Sequence, residues 1–451
     1  MAKIWHVFSV LDRRYLYDVY SGSLFELDVP AKRELEKYAG LSFAEAVDAG
    51  LKMASGEAGE FWEEAGGWAA QGFFSGREPE YVEPGENEPF KAFCLHASHD
   101  CDLRCAYCFA GKGSFGGERM NMPLEIAQKA VDMLLAHAGR RRHVEIDFFG
   151  GEPLLNWPAV REAILYGKKK ARASGKILNF TLTTNALALT DEAMEFIIKE
   201  DIGMVLSLDG RPEVHNRWRK TREGTGSYHA VLPNIRKAVA RKNGAGYYVR
   251  GTFTRYNTDF TEDVKHLLES GFHEISLEPV VAPQSEGYAV REEDLPEISA
   301  EYEKLARFYL EERAAGRGFN FFHFNLNLAH GPCLLRRLAG CGAGARYFAV
   351  TPRGELYPCH QFVGIEEFKL GDVYNGITRP DLRRRFQQAD IYHKKGCADC
   401  WARFLCSGGC HANAFSANRD ILEPDRTGCA MMRKRLECAL AVQAVSAISN
   451  Q

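Results

Sequence analysis

Between residues 91 and 280, six short apolar runs alternate with segments of helical period, and this alternation restricts the fold more than any other feature. The runs are KAFCLHA (91–97), VEIDFFG (144–150), ILNFTLTTN (177–185), GMVLSLDG (203–210), YYVRGTFT (247–254) and HEISLEPV (273–280). In the intervening PLEIAQKAVDMLLAHAG, Leu124, Ala127, Val131, Leu134 and Ala138 share one helical face, with Pro123 near the start and Gly139 at the end. WPAVREAILYGKKKARASG and TDEAMEFIIKE follow the same pattern. Strands alternating with helices predict βαβ units and a parallel sheet. The number of units, and the lack of G-x-G-x-x-G after the first strand, favour an open or closed barrel over a dinucleotide fold. Barrel chemistry sits at the strand C-termini. Here those ends carry His96 and Ser98, Gly150 to Pro153, Thr184 and Asn185, Ser207 and Asp209, Arg250, and Glu278.

The flanks differ in character. Residues 4–27 hold three aromatic and β-branched runs split by LDRR and SGS, which predicts a three-strand antiparallel patch. A helix is expected from Pro30 through AKRELEKYA to Gly40, and a second from about Ser42. SGREPEYVEPGENEPF (75–90) has the composition of a linker. A small domain (1–80) and a joining stretch (81–90) therefore precede the barrel (91–318). A sheet this short has open edges where an extended peptide can add a strand; the alternative is a domain that only packs. Residues 292–315 read as one charged helix, and FNFFHFNLNLAHG (319–331) as an aromatic segment packed on the barrel. Beyond Cys333, cysteines, glycines and short runs dominate 319–451, a region where metals could stand in for a thin apolar core.

A formal charge of -3, from 57 basic and 60 acidic residues, gives no footing for nucleic acid. No run of about 18 apolar residues predicts a membrane span, and MAKIWHVFSV lacks the layout of an export signal. A cytoplasmic protein is expected. Its 13 cysteines are odd in number and bunched, at 94–108 and 333–438. In a reducing compartment such bunching points to zinc or iron–sulfur rather than disulfides.

Cys101, Cys105 and Cys108 form C-x3-C-x2-C just past the first strand. The spacing also fits one buried helical face. A zinc site would need His96 or His99 as the fourth ligand. A [4Fe–4S] cluster on three thiolates would keep one iron open to a reactant.

This motif, with Tyr107 before its last cysteine, and FFGGEP (148–153) at the second strand end resemble the radical S-adenosylmethionine enzymes. The resemblance implies a partial (β/α)6 TIM-like barrel whose Cys101, Cys105 and Cys108 hold a [4Fe–4S] cluster at the catalytic centre. S-adenosylmethionine would be held by the backbone of Gly150 and Gly151 and by Glu152, with Tyr107, Asn185, Ser207, Asp209 and Arg250 at the family's remaining contact positions. A carboxylate suits an ammonium, and a glycine pair permits close backbone approach. His96 and Asp209 face the rim and are candidates for a general base.

The second cysteine group, Cys341-x12-Gly354-x4-Cys359, then Cys397-x2-Cys400-x5-Cys406-x3-Cys410 and Cys429, resembles the SPASM extension with two auxiliary clusters. By that resemblance Cys341, Cys359 and Cys410 hold the first, with Cys333 either a fourth ligand or a bystander that leaves an iron for a substrate thiol. Cys397, Cys400, Cys406 and Cys429 hold the second, and a zinc ribbon is the alternative for this C-x2-C stretch. Cys94 and Cys438 are left as structural thiols.

CLHASHDCDLRCAYCFAGKGSFGGERM, VEIDFFGGEPLLNW, YVRGTFTRYNTDF, EISLEPVVAP and YPCHQFVG are similar to enzymes that mature six-cysteine (SCIFF) peptides. The implied reaction joins a cysteine sulfur to the α-carbon of an acceptor residue, after hydrogen removal by a 5′-deoxyadenosyl radical. An external reductant supplies one electron. The N-terminal domain resembles a winged-helix-like recognition element for the leader of the precursor peptide. Formylglycine formation or carbon–carbon crosslinking is the alternative radical outcome. A non-catalytic metal-binding peptide scaffold is the alternative of another class.

Overall fold

The computed structural model describes residues 4–76, 80–81, 83–85, 87–326, 328 and 337–448. Cys333 lies outside the described residues. The N-terminal sheet is β1 (Trp5–Val10), β2 (Arg13–Asp18) and β3 (Leu24–Leu27), antiparallel in the order β1-β2-β3. Helices Val29–Lys37, Phe43–Met53 and Glu57–Ala70 cover one of its faces. Asp28 caps the first of these, and Ser42 with Glu45 closes a capping box on the second. Trp5, Leu16, Leu27, Leu35, Phe43, Trp62 and Phe74 form a core separate from the main one.

The six expected barrel strands are β4 (Ala92–Ser98), β5 (His143–Gly150), β6 (Ile177–Thr184), β7 (Gly203–Ser207), β8 (Tyr247–Phe253) and β9 (Glu274–Pro279), all parallel to their neighbours. Helix Leu124–His137 buries Ala127, Val131 and Leu134, so the apolar stripe read from the sequence is its packing face. The sheet is wider than the sequence suggested. The two-residue β10 (Asn320–Phe321) adds in parallel beside β9, and β11 (Tyr347–Val350) adds in parallel beside β4. The antiparallel β12 (Glu355–Tyr357), β13 (Gly371–Asp372) and β14 (Gly376–Ile377) complete one 11-stranded sheet, in the order β10-β9-β8-β7-β6-β5-β4-β11-β12-β13-β14. This is an α/β fold on a large parallel sheet that remains open.

The charged segment at 292–315 is helix Leu295–Ala314. The cysteine-rich region also contains a 23-residue helix, Arg426–Ile448, that packs on Leu295–Ala314 and on β1. Its apolar residues are not confined to one stripe, because neighbours cover several sides; Leu436, Cys438, Leu440 and Val442 are all buried. No helix among the described residues is long and apolar enough to cross a membrane.

Candidate active site: the cysteine loop past β4

Past β4 the chain enters a series of turns, so Cys101, Cys105 and Cys108 do not share a helical face. Backbone bonds tie this loop to a distant segment: Arg104 N donates to Lys220 O (2.7 Å) and Ala106 N to Trp218 O (3.0 Å). Arg222 adds bonds from Nη2 to Asp100 Oδ2 (2.7 Å) and to Cys101 O (2.8 Å). Tyr107 donates its hydroxyl to Asp209 Oδ2 (2.6 Å), which also accepts from Arg219 Nε (3.0 Å). Asp209 Oδ1 accepts from Thr252 N (3.0 Å), so three protein donors hold this buried carboxylate. Tyr107 and Asp209, both expected at the cofactor, thus brace the cysteine loop. Arg219 and Arg222 were not singled out from the sequence; the basic run WRKTR (218–222) was the only signal.

The Gly150–Gly151 pair has a visible cause. A Cβ at Gly150, whose φ is +117°, would lie 2.3 Å from Ser98 O, and one at Gly151 would lie 2.1 Å from Asp100 O. Gly151 N donates to Ser98 O and Glu152 N to Asp100 O, each at 2.8 Å. The close approach these glycines allow is to the chain entering the cysteine loop. Glu152 is fully buried beneath it and accepts from Thr184 Oγ1 (2.7 Å), Asn185 N (2.9 Å) and Leu154 N (3.1 Å). A carboxylate has about four acceptor positions, which leaves about one for an ammonium. Burial, reinforced by Asp102, pushes Glu152 up to about 8 against the pull of those three donors. Asn185 donates to Asp102 Oδ1 (2.7 Å) and approaches Cys101 Sγ (3.7 Å). Ser207 ends β7, but its register partner Arg250 lies in the middle of β8, which runs on to Phe253, so Arg250 does not mark a strand end as expected; it pairs with Glu278.

His96 and His99 bond each other, Nδ1 to Nε2 at 3.0 Å, and lie against Phe115. Burial lowers both, His99 to about 4. Among the described residues, no three His, Cys, Asp or Glu side chains gather tightly enough for one metal ion. A polynuclear cluster makes a different demand, because each iron takes its own thiolate and the sulfurs stand further apart.

Cys101 is in electrostatic range of Cys105, and Cys105 of Cys108. Burial pushes Cys105 up to about 12 and raises Cys101 as well, so a thiolate there calls for a neighbouring cation. Cys359 is in range of Cys410 and Cys341. Cys397, Cys400, Cys406 and Cys429 line one cavity of about 400 Å³ with Arg403 and Arg433. Soft sulfur donors around a cavity of that kind fit an iron–sulfur cluster. Cys94 and Cys438 are buried in β4 and in helix Arg426–Ile448. The first two sets adjoin: the ring of His360, next to Cys359, stacks on Phe149 at 4.9 Å and sits 5.3 Å from Phe109, next to Cys108. His360 was not among the sequence candidates.

Residues 96–270, the stretch that runs from the end of β4 through this loop and β5 to β8, match the sequence model of the Radical SAM superfamily. The chain carries a radical SAM domain. A cysteine-type anaerobic sulfatase-maturating enzyme of Clostridium novyi (strain NT) is 22% identical over 70% of this chain and 86% of its own length. Among solved structures, anSMEcpe with bound AdoMet and Kp18Cys peptide is similar to this chain at a TM-score of 0.66 and 19% identity, over 80% of this chain and 100% of that one. SuiB of Streptococcus suis, solved with S-adenosylmethionine, matches at a TM-score of 0.54 and 16% identity, over 95% of this chain and 99% of its own. SuiB solved with its precursor peptide SuiA gives 0.51.

Proposed function

We propose that this radical SAM protein is a peptide maturase that forms intramolecular thioether bonds between cysteine sulfur and the α-carbon of an acceptor residue in a ribosomally made, cysteine-rich peptide. The observation that carries the peptide-directed part concerns coverage. The whole of anSMEcpe aligns with 80% of this chain, leaving about a fifth over, whereas SuiB aligns with 95%. A fifth is about the size of the N-terminal unit, which has its own core. In that unit β1 faces helix Arg426–Ile448 and Trp401, which leaves β3 as the other edge of the sheet. The leader adds there as a strand. The thioether outcome rests on the resemblance of the cysteine loop and rim segments to SCIFF-type maturases.

Under this reading Cys101, Cys105 and Cys108 hold a [4Fe–4S] cluster. Cys341, Cys359 and Cys410 hold a first auxiliary cluster, with Cys333 or a substrate thiol as its fourth ligand, and Cys397, Cys400, Cys406 and Cys429 hold a second. S-adenosylmethionine, with one electron from an external reductant, supplies the hydrogen-abstracting carbon radical. The chain's own part is placement. Asp209, Arg219 and Arg222 fix the cysteine loop, Gly150, Gly151 and Glu152 form the floor beneath it, and Asn185, Ser207 and Arg250 offer polar groups. Phe109, Phe149 and His360 form an aromatic cluster beside Cys108 and Cys359.

Formylglycine formation is the second reading, favoured by the likeness to the sulfatase-maturating enzyme. One experiment separates the two. The iron-loaded protein is given S-adenosylmethionine, a reductant and a six-cysteine precursor, and the product is weighed, alkylated and treated with an aldehyde reagent. Thioether formation removes two hydrogens and one free thiol per link, with no aldehyde. An aldehyde with no new link would replace this reading with the second one.

A further inference from the structure

Lys394 is 2% exposed, and among the described residues no carboxylate forms an ion pair with it. Its Nζ donates to Gly408 O at 2.8 Å. A buried ammonium held by one carbonyl is unfavourable unless a negative charge lies nearby. The groups around it show where that charge belongs. Lys394 is in electrostatic range of Cys397, Cys410, Cys406 and Cys341, thiols drawn from both later sets.

The backbone explains how one side chain reaches two sites. Ser407, Gly408 and Gly409 all have positive φ, at 57°, 82° and 69°. This left-handed turn separates Cys406, which lines the second auxiliary cavity, from Cys410, which belongs with Cys341 and Cys359. Lys394 lies against that turn: a Cβ on Gly408 would stand 3.2 Å from its Cδ. From the other direction, Cys397 N donates to Lys394 O at 3.1 Å, so the same residue also anchors the start of the C-x2-C stretch.

We propose that Lys394 is the shared counter-cation of the two auxiliary clusters and sets their reduction potentials together. This rests on the cluster assignment made under Proposed function. Thiolate-bound [4Fe–4S] centres carry net negative charge and gain more on reduction, and nearby charge and hydrogen bonding tune their potential. A fixed positive charge between two such centres favours the reduced form of each.

The test uses the full-length protein, reconstituted without oxygen, with iron analysis and a spectroscopically monitored redox titration of Lys394→Met and Lys394→Arg. Lys394→Met should keep wild-type iron and shift the one-electron equilibrium of both auxiliary clusters at least tenfold toward the oxidised form, about 59 mV. The Cys101 cluster should not move, and Lys394→Arg should restore both potentials. Unmoved auxiliary potentials in an iron-replete Lys394→Met protein, a shift at only one auxiliary cluster, or an equal shift at all three would overturn the proposal. If Lys394→Met fails to hold iron, Lys394→Arg decides. Full iron at wild-type potentials upholds the charge role, and loss of iron there too reduces Lys394 to packing. Wild-type protein without auxiliary iron would instead remove the cluster assignment itself.

Discussion

The ring of Phe109 lies 5.3 Å from that of His360, so the residue after Cys108 meets the residue after Cys359. Phe109 is nonetheless 42% exposed, so part of its ring is free to meet a substrate. Phe109→Ala should reduce peptide modification more than it reduces peptide-free cleavage of S-adenosylmethionine. Parallel assays of the two reactions on one preparation check this; equal losses would count against a role in guiding substrate.

Cys105→Ala removes one of only three thiols at the first site. The variant should lose deoxyadenosine production entirely and about four irons per chain, while binding the precursor leader as wild type does. Iron analysis, chromatography of the nucleoside product and a binding isotherm measure the three effects.

Tyr107→Phe deletes one hydroxyl and leaves the buried Asp209 carboxylate one donor short. Losing a buried bond to a charged group costs about 1.5–3 kcal/mol. The iron-free protein should melt lower than wild type, and the iron-loaded variant should release iron faster to a chelator. An unchanged melting temperature would mean that the loop is braced elsewhere.

Glu152 holds its proton to about 8 in the folded protein, above its ordinary 4.5, chiefly because it is buried. The folded state therefore binds the extra proton between those two values. Its carboxyl destabilises the fold progressively as pH rises through that window, the reverse of an ion-paired carboxylate. Iron-free wild-type protein should lose thermal stability from about pH 5 to about pH 8, and Glu152→Gln should flatten that part of the profile. A profile identical in the two proteins would refute the assignment.

Addition of a leader strand to β3 should slow amide hydrogen exchange over Leu24–Leu27 when precursor peptide is present, and leave β1 as it was. Protection that appears only on the helices would move the docking site off the sheet edge.

The six central strands were legible because each is a long apolar run with a polar end. β10 and β11 were not, since two and four residues carry too little pattern and owe their conformation to the neighbours they pair with. The cysteines themselves stood out because they are bunched in the sequence, and their division into sets follows from the resemblance. The brace around the first set was not legible: Tyr107 and Asp209 are 102 residues apart, and nothing local tells a clamp from a ligand contact. Lys394 stands next to Lys395 with nothing local to distinguish the two, and only burial singles it out.

Residues from beyond position 340 hydrogen-bond directly onto β4, the strand that leads into the first cysteine loop. A version trimmed to its catalytic half would expose a bare, apolar ladder and invite self-association. Engineers wishing to graft this tail onto another barrel would have to transplant the seam along with it.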